Sequence, residues 1–488
     1  MTNSAQALPD IETRCFINNE FVEAKETFAI HNPSNGELTA RVSQADVDLV
    51  NSAVDAAEAA GPAWAALGST TRAECLSRLA DLLIANTQQL CRLEAISVGK
   101  VVTFYPAEIQ WAADVLRYNA GLAREIHGET SMTTAGFLNM TIRLPYGVCG
   151  AICPWNGPLI AIALKAGPAL VTGNTLILKP SEKSPLTALY MAKLIIDAGF
   201  PPGVFNIVPG HGRVTGAAIA SHMRIRKLAF TGSTATGRIV KKLAAESNLK
   251  DVTLELGGKS PLIVFPDADL EQAVVMAAFS IAYNSGQICI ASSRVYVHES
   301  IADKFVELYV AELKKIMGKA GDALDPTTTH APQADALQYE RIMGYIDGAN
   351  REGAKLVTGG KRIGEKGYFV EPTVFFNPGQ SSTINREEVF GPVASVNTFT
   401  SEEEVLKLAN DTEYGLYASV FTKDLNRALR FAKELESGMV GVNCTSPTMP
   451  FDLPFGGSKQ SGEGRECSLK ALQAWTETKT VMIKVSTS

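Results

Sequence analysis

Short apolar runs alternate with amphipathic stretches from about residue 146 onward. The apolar runs end in glycine, proline or serine, while the stretches between them carry apolar residues at helical spacing. The runs predict strands over residues 148–152, 175–178, 204–208, 227–230 and 252–256. The stretches predict helices over residues 159–170, 186–198, 212–220 and 235–245. Strands and helices alternating at this spacing predict βαβ units and a doubly wound parallel sheet.

A second α/β series follows the first and is predicted to form a further domain. Its predicted strands cover residues 261–265, 294–297, 393–399, 418–421 and 439–442. Its predicted helices cover residues 269–283, 301–317 and 402–410, and a fourth helix starts at Leu425. The tail, residues 475–485, alternates threonine with charged and apolar residues, which is typical of an edge or exchanged strand.

Helical spacing of apolar residues also marks residues 53–86, ahead of the alternating blocks. The sequence predicts a helix break at Gly61-Pro62, because proline lacks the backbone N–H that a helix interior needs. No internal repeat or low-complexity linker interrupts the chain.

The charge balance excludes some classes of partner. The chain has 488 residues with 45 Lys and Arg against 51 Asp and Glu, a net charge of −6, whereas nucleic-acid binders usually show a basic footprint. The N-terminus has no apolar core after a basic start, and the most apolar window, residues 148–173, contains Asn156, Lys165 and three prolines. The sequence therefore predicts a cytoplasmic protein that binds neither nucleic acid nor membrane.

Cysteine and histidine usage gives no sign of a metal site. The eight cysteines include no CxxC pair, and the six histidines show no HxxH or HExxH spacing. The sequence predicts a reducing compartment, mostly inert thiols and no bound metal.

Two short segments are typical of nucleotide contacts. The stretch from Gly232 to Gly237 follows a predicted strand and opens a helix, where free backbone N–H groups and the helix dipole favour a phosphate. Lys179 and Glu182 stand at the end of another predicted strand, where a dinucleotide lies in doubly wound folds. An ordinary glycine-rich turn and a surface ion pair are the plainer alternatives for the two segments.

Cys289 and Glu255 are candidates for chemistry. An isolated cysteine among apolar neighbours is usually an inert small hydrophobe, so Cys289 alone indicates little. Glu255 ends an apolar strand before two glycines, where a carboxylate is costly to bury and its pKa rises, which suits a general base.

Taken together, seven segments resemble the aldehyde dehydrogenase superfamily, in family order and spacing over essentially the whole chain. The segments are Pro154-Trp155-Asn156, Lys179-Pro180-Ser181-Glu182, Phe230-Thr231-Gly232-Ser233, Glu255-Leu256-Gly257-Gly258-Lys259, Gly286-Gln287-Ile288-Cys289, Glu388-Val389-Phe390-Gly391-Pro392 and Pro454-Phe455-Gly456-Gly457-Ser458-Lys459.

The resemblance implies a role for each matched position. Cys289 would be the nucleophile, Asn156 with the backbone N–H of Cys289 the oxyanion hole, and Glu255 the base that activates water. The implied cofactor residues are Lys179 and Glu182 for the adenosine ribose, Ser233 with Gly232 for the pyrophosphate, and Glu388 with Phe390 for the nicotinamide-ribose end; Trp155 and Lys165 occupy positions typical of this site. NAD is expected over NADP, because the Glu182 charge would repel a 2′-phosphate, although NADP stays possible.

The implied reaction oxidises an aldehyde to a carboxylic acid. A thiolate makes the aldehyde carbon tetrahedral, the carbon gives up hydride, and water hydrolyses the resulting thioester. Two alternatives remain open: a relative that passes the acyl group to coenzyme A, and an inactive relative with a binding or structural role, as in some lens crystallins.

The substrate-tunnel positions depart from relatives that act on small aldehydes. Gly157 stands where many of them carry an aromatic residue, and Ala161 and Leu164 replace larger side chains. Phe455 and residues 445–453 are further expected tunnel elements. A wide apolar tunnel predicts a bulky apolar or aromatic aldehyde as substrate, whereas residues 445–453 folding in to fill the gap would leave room only for a small one.

The resemblance also implies the architecture, an α/β fold of the aldehyde dehydrogenase type. A doubly wound parallel-sheet cofactor domain would comprise residues 1–123 and 146–257, and a second α/β catalytic domain residues 258–460. Residues 124–145 and 472–488 would form a small β oligomerisation element. A homodimer or homotetramer is expected.

Overall fold

The computed structural model describes residues 10–485. The predictions for residues 1–9 and 486–488, which concern the lack of a targeting segment and the last positions of the tail, lie outside the described residues. Among the helices of residues 10–485, none combines the length and the apolar character that crossing a bilayer requires.

The first sheet is doubly wound, as the alternation predicts. Within the described residues its eight strands run in the order Glu20–Val22, Cys15–Ile17, Phe205–Ile207, Thr175–Lys179, Val148–Ile152, Lys227–Thr231, Asp251–Glu255 and Gly462–Glu463. The five central strands are parallel, and the chain leaves the middle strand first to one side and then to the other. Antiparallel strands close both edges.

The helices around this sheet include the predicted ones, whereas Thr87–Val98 and Tyr105–Gly121 have no predicted counterpart. They are Val47–Ala66, Ser69–Ala85, Thr87–Val98, Tyr105–Gly121, Pro158–Val171, Leu186–Asp197, Ala217–Ser221 and Thr234–Glu246, with a 3-10 turn at Leu122–Arg124. The helix predicted over residues 212–220 is instead a π-helical turn, Gly212–Gly216, followed by a short α-helix.

The helix break predicted at Gly61-Pro62 is wrong. Helix Val47–Ala66 continues through Pro62. The continuation places Trp64 on the buried helical face, where its indole Nε1 donates a hydrogen bond to the carbonyl oxygen of Leu170 at 3.1 Å. Burial of a bonded tryptophan offsets the backbone hydrogen bond that a proline removes.

A second sheet follows in the chain, and its strands are parallel except for the antiparallel edge strand Lys355–Thr358. Within residues 10–485 its seven strands run in the order Lys355–Thr358, Thr373–Phe376, Val393–Phe399, Arg294–His298, Pro261–Val264, Tyr417–Phe421 and Met439–Val442. The helices of this block are Leu270–Ala282, Glu299–Ile316, Ala336–Arg351, Thr383–Arg386, Glu402–Asn410, Leu425–Glu434 and Ser468–Ala474. The predicted elements are present with ends shifted by one or two residues, while Lys355–Thr358, Thr373–Phe376 and Ala336–Arg351 have no predicted counterpart.

A small antiparallel sheet contains the tail. Strand Thr476–Lys484 pairs along its whole length with Phe137–Pro145, which also pairs with Thr130–Ser131. The tail strand lies at one edge of this sheet, as its alternation predicts. Residues 472–474 are helical rather than part of this strand, because Leu472 packs into the core. The remaining strands form two hairpins, Glu26–His31 with Leu38–Gln44 and Arg362–Ile363 with Phe369–Val370.

Candidate active site

A cavity of about 950 Å³ lies at the carboxyl ends of the first sheet's parallel strands. This is where ligands bind in doubly wound folds. The cavity is lined by all ten residues that the sequence assigned to catalysis and cofactor binding: Trp155, Asn156, Lys179, Glu182, Gly232, Ser233, Glu255, Cys289, Glu388 and Phe390. The fold thus brings together residues that are up to 235 positions apart in the chain.

Cys289 follows a turn of unusual backbone conformation. Asn284, Ser285 and Gly286 have φ angles of 48°, 51° and 76°, all in the left-handed region. A Cβ at Gly286 would lie 2.0 Å from the carbonyl oxygen of Gly391, so this position requires glycine. The turn ends the helix Leu270–Ala282 and directs the chain into the cavity.

Asn156 contacts the segment just before Cys289. Its Nδ2 donates to the carbonyl oxygen of Gln287 at 3.1 Å, and Asn284 Nδ2 donates to the carbonyl oxygen of Asn156 at 3.3 Å. An asparagine amide has two N–H donors. The contact to Gln287 uses one of them and fixes the orientation of the amide, which leaves the other for a ligand.

The Cys289 thiol is held in its protonated form at neutral pH. Burial, together with the nearby Glu388 and Glu255 carboxyls, raises its pKa to about 12, although the backbone N–H groups of Cys289 and Ile290 oppose the rise. Cys153 also lines the cavity, and burial raises its pKa to about 12. Cys289 is half-buried whereas Cys153 is buried, so Cys289 is the more accessible of the two.

Glu255 is a buried carboxyl at the end of strand Asp251–Glu255. Its Oε2 has no hydrogen-bond partner among the described residues. Burial and the neighbouring Glu466 raise its pKa well above the ordinary value, against the opposing charges of Lys165 and Arg465. A carboxyl with a raised pKa and an unpartnered oxygen in a cavity is suited to proton transfer.

Lys165 lies under Glu255 in a buried polar network. Its Nζ donates to Thr231 Oγ1 at 2.6 Å and to Glu466 Oε1 at 2.7 Å. Burial alone would lower the pKa of Lys165, but the Glu466 carboxylate outweighs burial and raises it. Lys165 is therefore a cation fixed within reach of the two carboxyls.

Lys179 and Glu182 form an ion pair at one end of the cavity. Lys179 Nζ donates to Glu182 Oε2 at 3.3 Å and to the carbonyl oxygen of Pro180 at 3.0 Å. Burial lowers the pKa of Lys179 in spite of Glu182. Burial would raise the pKa of Glu182, but the Lys179 charge lowers it, so Glu182 is ionised and half-exposed.

Gly232 and Ser233 precede the helix Thr234–Glu246. Ser233 is the N-cap residue, and its Oγ accepts the backbone N–H of Thr236 at 3.3 Å. The Gly232 N–H donates to the carbonyl oxygen of Glu255 at 3.0 Å, which ties this turn to the neighbouring strand. Ser233 and Thr236 line the cavity, so the N-terminus of this helix, where a phosphate is favoured, borders it.

Glu388 is held against the glycine pair that follows Glu255. Its Oε1 accepts the backbone N–H of Gly258 at 2.9 Å, and a Cβ at Gly257 would lie 2.3 Å from its Oε2. Burial raises the pKa of Glu388 to about 7, although the Gly258 N–H opposes the rise. The sequence segment around Gly257 thus has glycine where the carboxyl needs the space.

Two aromatic rings meet on the cavity wall. The rings of Trp155 and Phe390 pack edge to face with centroids 5.2 Å apart, and Lys183 Nζ lies 5.2 Å from the centre of the Trp155 ring. Phe390 has a φ of 57°, and its carbonyl oxygen accepts Gln338 Nε2 at 2.8 Å. These contacts bring the second sheet's loop against the end of the first sheet.

The four predicted tunnel residues do not line this cavity within the described residues. Ala161, Leu164 and Phe455 belong to a buried apolar cluster, and Cys289 packs against that cluster. Gly157 is the N-cap of helix Pro158–Val171, and a Cβ at this position would meet no atom within 4 Å. The side-chain volume missing at Gly157 is therefore open space.

Sequence reasoning missed Glu466, Gln338 and Arg341. Gln338 and Arg341 line the cavity from helix Ala336–Arg351, which was not predicted. Glu466 exchanges two backbone hydrogen bonds with Phe455 and reaches Lys165 across 301 positions of sequence. Gln338 and Arg341 stand in no segment that the sequence analysis singled out, and Glu466 lies just beyond the matched segment that ends at Lys459. Residues 10–485 contain no cluster of three or more His, Cys, Asp or Glu that could hold a metal ion.

The family model of the aldehyde dehydrogenase family matches residues 21–481. The chain belongs to the aldehyde dehydrogenase family. It is similar to the mouse cytosolic aldehyde dehydrogenase 1, with 46% identity over 97% of this chain and 95% of the relative. It is also similar to the human mitochondrial aldehyde dehydrogenase, with 47% identity over 96% and 92% of the two chains.

Solved structures show the same fold. The aldehyde dehydrogenase KauB from Pseudomonas aeruginosa matches with a TM-score of 0.95 and 44% identity, over 98% of this chain and 97% of that chain. An indole-3-acetaldehyde dehydrogenase from P. syringae, solved with NAD⁺ and IAA, matches with a TM-score of 0.95, 41% identity and the same coverage. The α/β fold and the enzyme class that the sequence predicts are confirmed: the protein is an NAD(P)-dependent aldehyde dehydrogenase.

Proposed function

We propose that this aldehyde dehydrogenase oxidises a bulky apolar or aromatic aldehyde to the free carboxylic acid through a thioester on Cys289. The observation that carries the proposal is the placement of Cys289, Asn156 and Glu255 on the wall of one cavity. A thiol, an amide donor and a buried base are the protein groups that thiohemiacetal formation and thioester hydrolysis require.

NAD is the cofactor, and the lining residues fit it. The cavity of about 950 Å³ has the size of a large ligand site, and it combines a helix N-terminus at Ser233 with an ionised carboxylate at Glu182. We propose that Lys179 and Glu182 hold the adenosine ribose, that Gly232 and Ser233 hold the pyrophosphate, and that Trp155, Glu388 and Phe390 hold the nicotinamide-ribose end. When bound, NAD supplies the hydride acceptor.

In the first chemical step, the Cys289 thiol releases its proton to solvent, and the thiolate so formed attacks the aldehyde carbon to give a tetrahedral thiohemiacetal. We propose that the oxyanion accepts the free N–H of Asn156 Nδ2 and the backbone N–H of Cys289. The hydrogen bond from Asn156 to Gln287 supports this role, because a donor with a fixed orientation needs no rearrangement as charge develops. Loss of hydride from the carbon leaves a thioester on Cys289.

In the second step, Glu255 deprotonates the water that hydrolyses the thioester. The unpartnered Oε2 of Glu255 supports this role, since it is free to accept a proton from water. Glu466 and Lys165 act on the Glu255 pKa in opposite directions, and their hydrogen bond of 2.7 Å holds them in place. A raised pKa brings Glu255 closer to the pH at which proton transfer is efficient.

A buried, unpartnered Glu255 favours hydrolysis over transfer of the acyl group to coenzyme A, because transfer to a thiol needs no water-activating base. An inactive crystallin-like role is disfavoured by the presence of Cys289, Asn156 and Glu255 around one cavity.

The preference for a bulky substrate rests on the open space beside Gly157 and on the apolar cluster of Ala161, Leu164 and Phe455. Filling apolar space with substrate contributes about 25 cal/mol per Å² of buried surface, which a small aldehyde cannot supply. The relative from P. syringae, named for indole-3-acetaldehyde, agrees with an aromatic substrate.

Several broader features complete the proposal. The cofactor domain would span residues 1–123 and 146–257, and the catalytic domain residues 258–460. Residues 124–145 and 472–488 would mediate a homodimer or homotetramer, since one edge of strand Thr476–Lys484 is unpaired within the described residues.

We propose a cytoplasmic location, although both cytosolic and mitochondrial proteins are among the relatives.

Trapping the acyl-enzyme tests the proposal. Glu255→Gln protein is incubated with NAD and an aromatic aldehyde, and the peptides are mapped by mass spectrometry. We expect an acyl adduct on Cys289. The adduct should be absent from the double variant with Glu255→Gln and Cys289→Ala. It should still form in the double variant with Glu255→Gln and Cys153→Ala. A Glu255→Gln enzyme that turns over at the wild-type rate without an adduct would show that Glu255 is not the deacylation base.

A further inference from the structure

Five buried hydroxyl side chains form a hydrogen-bonded group next to the Cys289 segment. They are Ser280, Ser292, Ser419, Thr445 and Ser446, and each is at most 2% exposed. We call this group the hydroxyl cluster. None of its members lines the large cavity within the described residues, and none has a role in the proposed reaction.

The hydrogen bonds of the hydroxyl cluster are continuous. Ser280 Oγ is hydrogen-bonded to Ser446 Oγ and also accepts the backbone N–H of Ser292 at 3.0 Å. Ser292 Oγ and Thr445 Oγ1 are 2.7 Å apart, and Ser419 Oγ donates to Thr445 Oγ1 at 2.7 Å. Thr445 therefore connects two other hydroxyls.

Three members of the hydroxyl cluster lie on elements that frame the nucleophile. Ser280 is in the last turn of helix Leu270–Ala282, just before the turn that leads to Cys289. Ser292 follows Cys289 by three residues. Ser419 lies in strand Tyr417–Phe421 of the second sheet, which is paired on both sides. The cluster is thus attached to both sides of Cys289 and to the rigid sheet behind it.

The other two members begin residues 445–453, which we call the substrate loop. Farther along the substrate loop, Met449 and Phe451 pack against the apolar cluster that Cys289 also contacts. The rings of Phe451 and Trp111 have centroids 5.5 Å apart. The apolar end of the loop therefore faces the proposed aldehyde path, while its polar start is held by Thr445 and Ser446.

Burying hydroxyl groups costs free energy unless each finds a partner, and the loss of one partner leaves the others unsatisfied. Removing the Thr445 hydroxyl would take a partner from Ser292 and from Ser419 at once. The unsatisfied hydroxyls would lie where the substrate loop joins Ser292 and Ser419, so we expect the loop to shift its position.

We propose that Thr445, through the hydroxyl cluster, fixes the substrate loop relative to Cys289 and so sets the preference for bulky over small aldehydes. This inference rests on the proposed function of the same site. Thr445 is a positioning residue, because its hydroxyl contacts other hydroxyls rather than the reacting atoms. A small aldehyde has less apolar surface to place against Met449 and Phe451 than a bulky one, so its oxidation should depend less on the loop position.

The test compares Thr445→Val, which has the same shape without the hydroxyl, with Thr445→Ser, which keeps the hydroxyl. We expect Thr445→Val to raise the KM for benzaldehyde about tenfold, as for loss of a buried hydrogen bond, with kcat and the acetaldehyde KM nearly unchanged. Hydrogen exchange in the ligand-free protein should be faster over residues 445–453 in Thr445→Val and restored in Thr445→Ser.

Thr172→Val is the matched control. Thr172 is also buried, and its hydroxyl donates to the carbonyl oxygen of Pro168 at 2.7 Å, far along the chain from the substrate loop. We expect Thr172→Val to leave both the benzaldehyde-to-acetaldehyde ratio and exchange in the loop unchanged. Ser292→Ala removes the same contact from the other side and serves if Thr445→Val fails to fold.

Unchanged exchange over residues 445–453, or an equal rise in KM for both aldehydes, would overturn the inference. Hydrogen exchange needs no turnover, so this outcome is separable from failure of the proposed function. If Cys289→Ala kept full activity, the proposed chemistry would be wrong, but the hydrogen-exchange result would still decide whether Thr445 fixes the loop.

Discussion

Asn156 Nδ2 lies 3.1 Å from the carbonyl oxygen of Gln287, and this hydrogen bond joins the end of the central strand to the segment that carries Cys289. The two residues are 131 positions apart, and their contact links the proposed oxyanion donor to the segment of the proposed nucleophile. The amide of Asn156 has two N–H donors, and the one that is not bonded to Gln287 is available to an oxyanion.

Asn156→Ala should therefore lower kcat by about 10²–10³, the usual loss for one oxyanion donor. The reason is that Asn156 would stabilise charge that develops only in the tetrahedral state. Steady-state kinetics check the prediction, with NAD binding and the thermal midpoint as controls for folding. A variant with wild-type kcat would exclude Asn156 from the oxyanion hole.

The reactivity of Cys289 should depend steeply on pH in the cofactor-free protein. Its pKa is raised to about 12 by burial and by Glu388 and Glu255, so the thiolate fraction is small at neutral pH and grows as pH rises. We expect alkylation of Cys289 by iodoacetamide to accelerate about tenfold per pH unit between about pH 7 and 10. Peptide mass spectrometry measures the rate, and a plateau below pH 9 would contradict the raised pKa.

Cofactor choice should depend on Glu182. Its carboxylate is ionised beside Lys179, and that charge would repel the 2′-phosphate of NADP. We expect wild-type kcat/KM to be higher with NAD than with NADP, and Glu182→Gln to narrow the difference by about tenfold. Glu74→Gln changes an exposed glutamate outside the cavity and should leave the ratio unaltered. Equal or better use of NADP by the wild-type enzyme would refute the preference.

Substrate size should be controlled at Gly157. The open space at this position would be filled by a phenyl ring. We expect wild-type kcat/KM to rise from acetaldehyde to benzaldehyde and medium-chain aldehydes, and Gly157→Phe to reverse the order. Kinetics over this panel decide the matter. If acetaldehyde is the best substrate of the wild-type enzyme, residues 445–453 and not Gly157 set the size of the path.

Local signals in the sequence account for much of the fold. Strand Val148–Ile152 matches its prediction residue for residue, since a short run of apolar residues ending before a proline has few other structures open to it. The tail strand Thr476–Lys484 could also be predicted, because side chains that alternate with period two are typical of a strand. The break at Gly61-Pro62 failed as a prediction because burial of Trp64 is a tertiary effect that propensity does not contain.

The candidate site likewise contains residues that the sequence predicted and residues that only the fold reveals. Ten residues stood in recognisable segments and converge on one cavity. Glu466 was not predicted, because its pairing with Lys165 depends on a contact across 301 positions of sequence. The burial of the Thr445 and Ser292 hydroxyls could not be predicted either, because serine and threonine are mostly surface residues and nothing local marks these two as buried.

The central claim is that Cys289 is the nucleophile, and a comparison of Cys289→Ala with Cys153→Ala tests it most directly. Both thiols line the cavity and both have a pKa raised to about 12, so the two variants differ in position rather than in thiol character. NADH production from benzaldehyde and NAD binding are measured for each variant. We predict that Cys289→Ala binds NAD but produces no NADH, while Cys153→Ala keeps substantial activity. NADH production by Cys289→Ala at a rate near that of the wild-type enzyme would contradict the account.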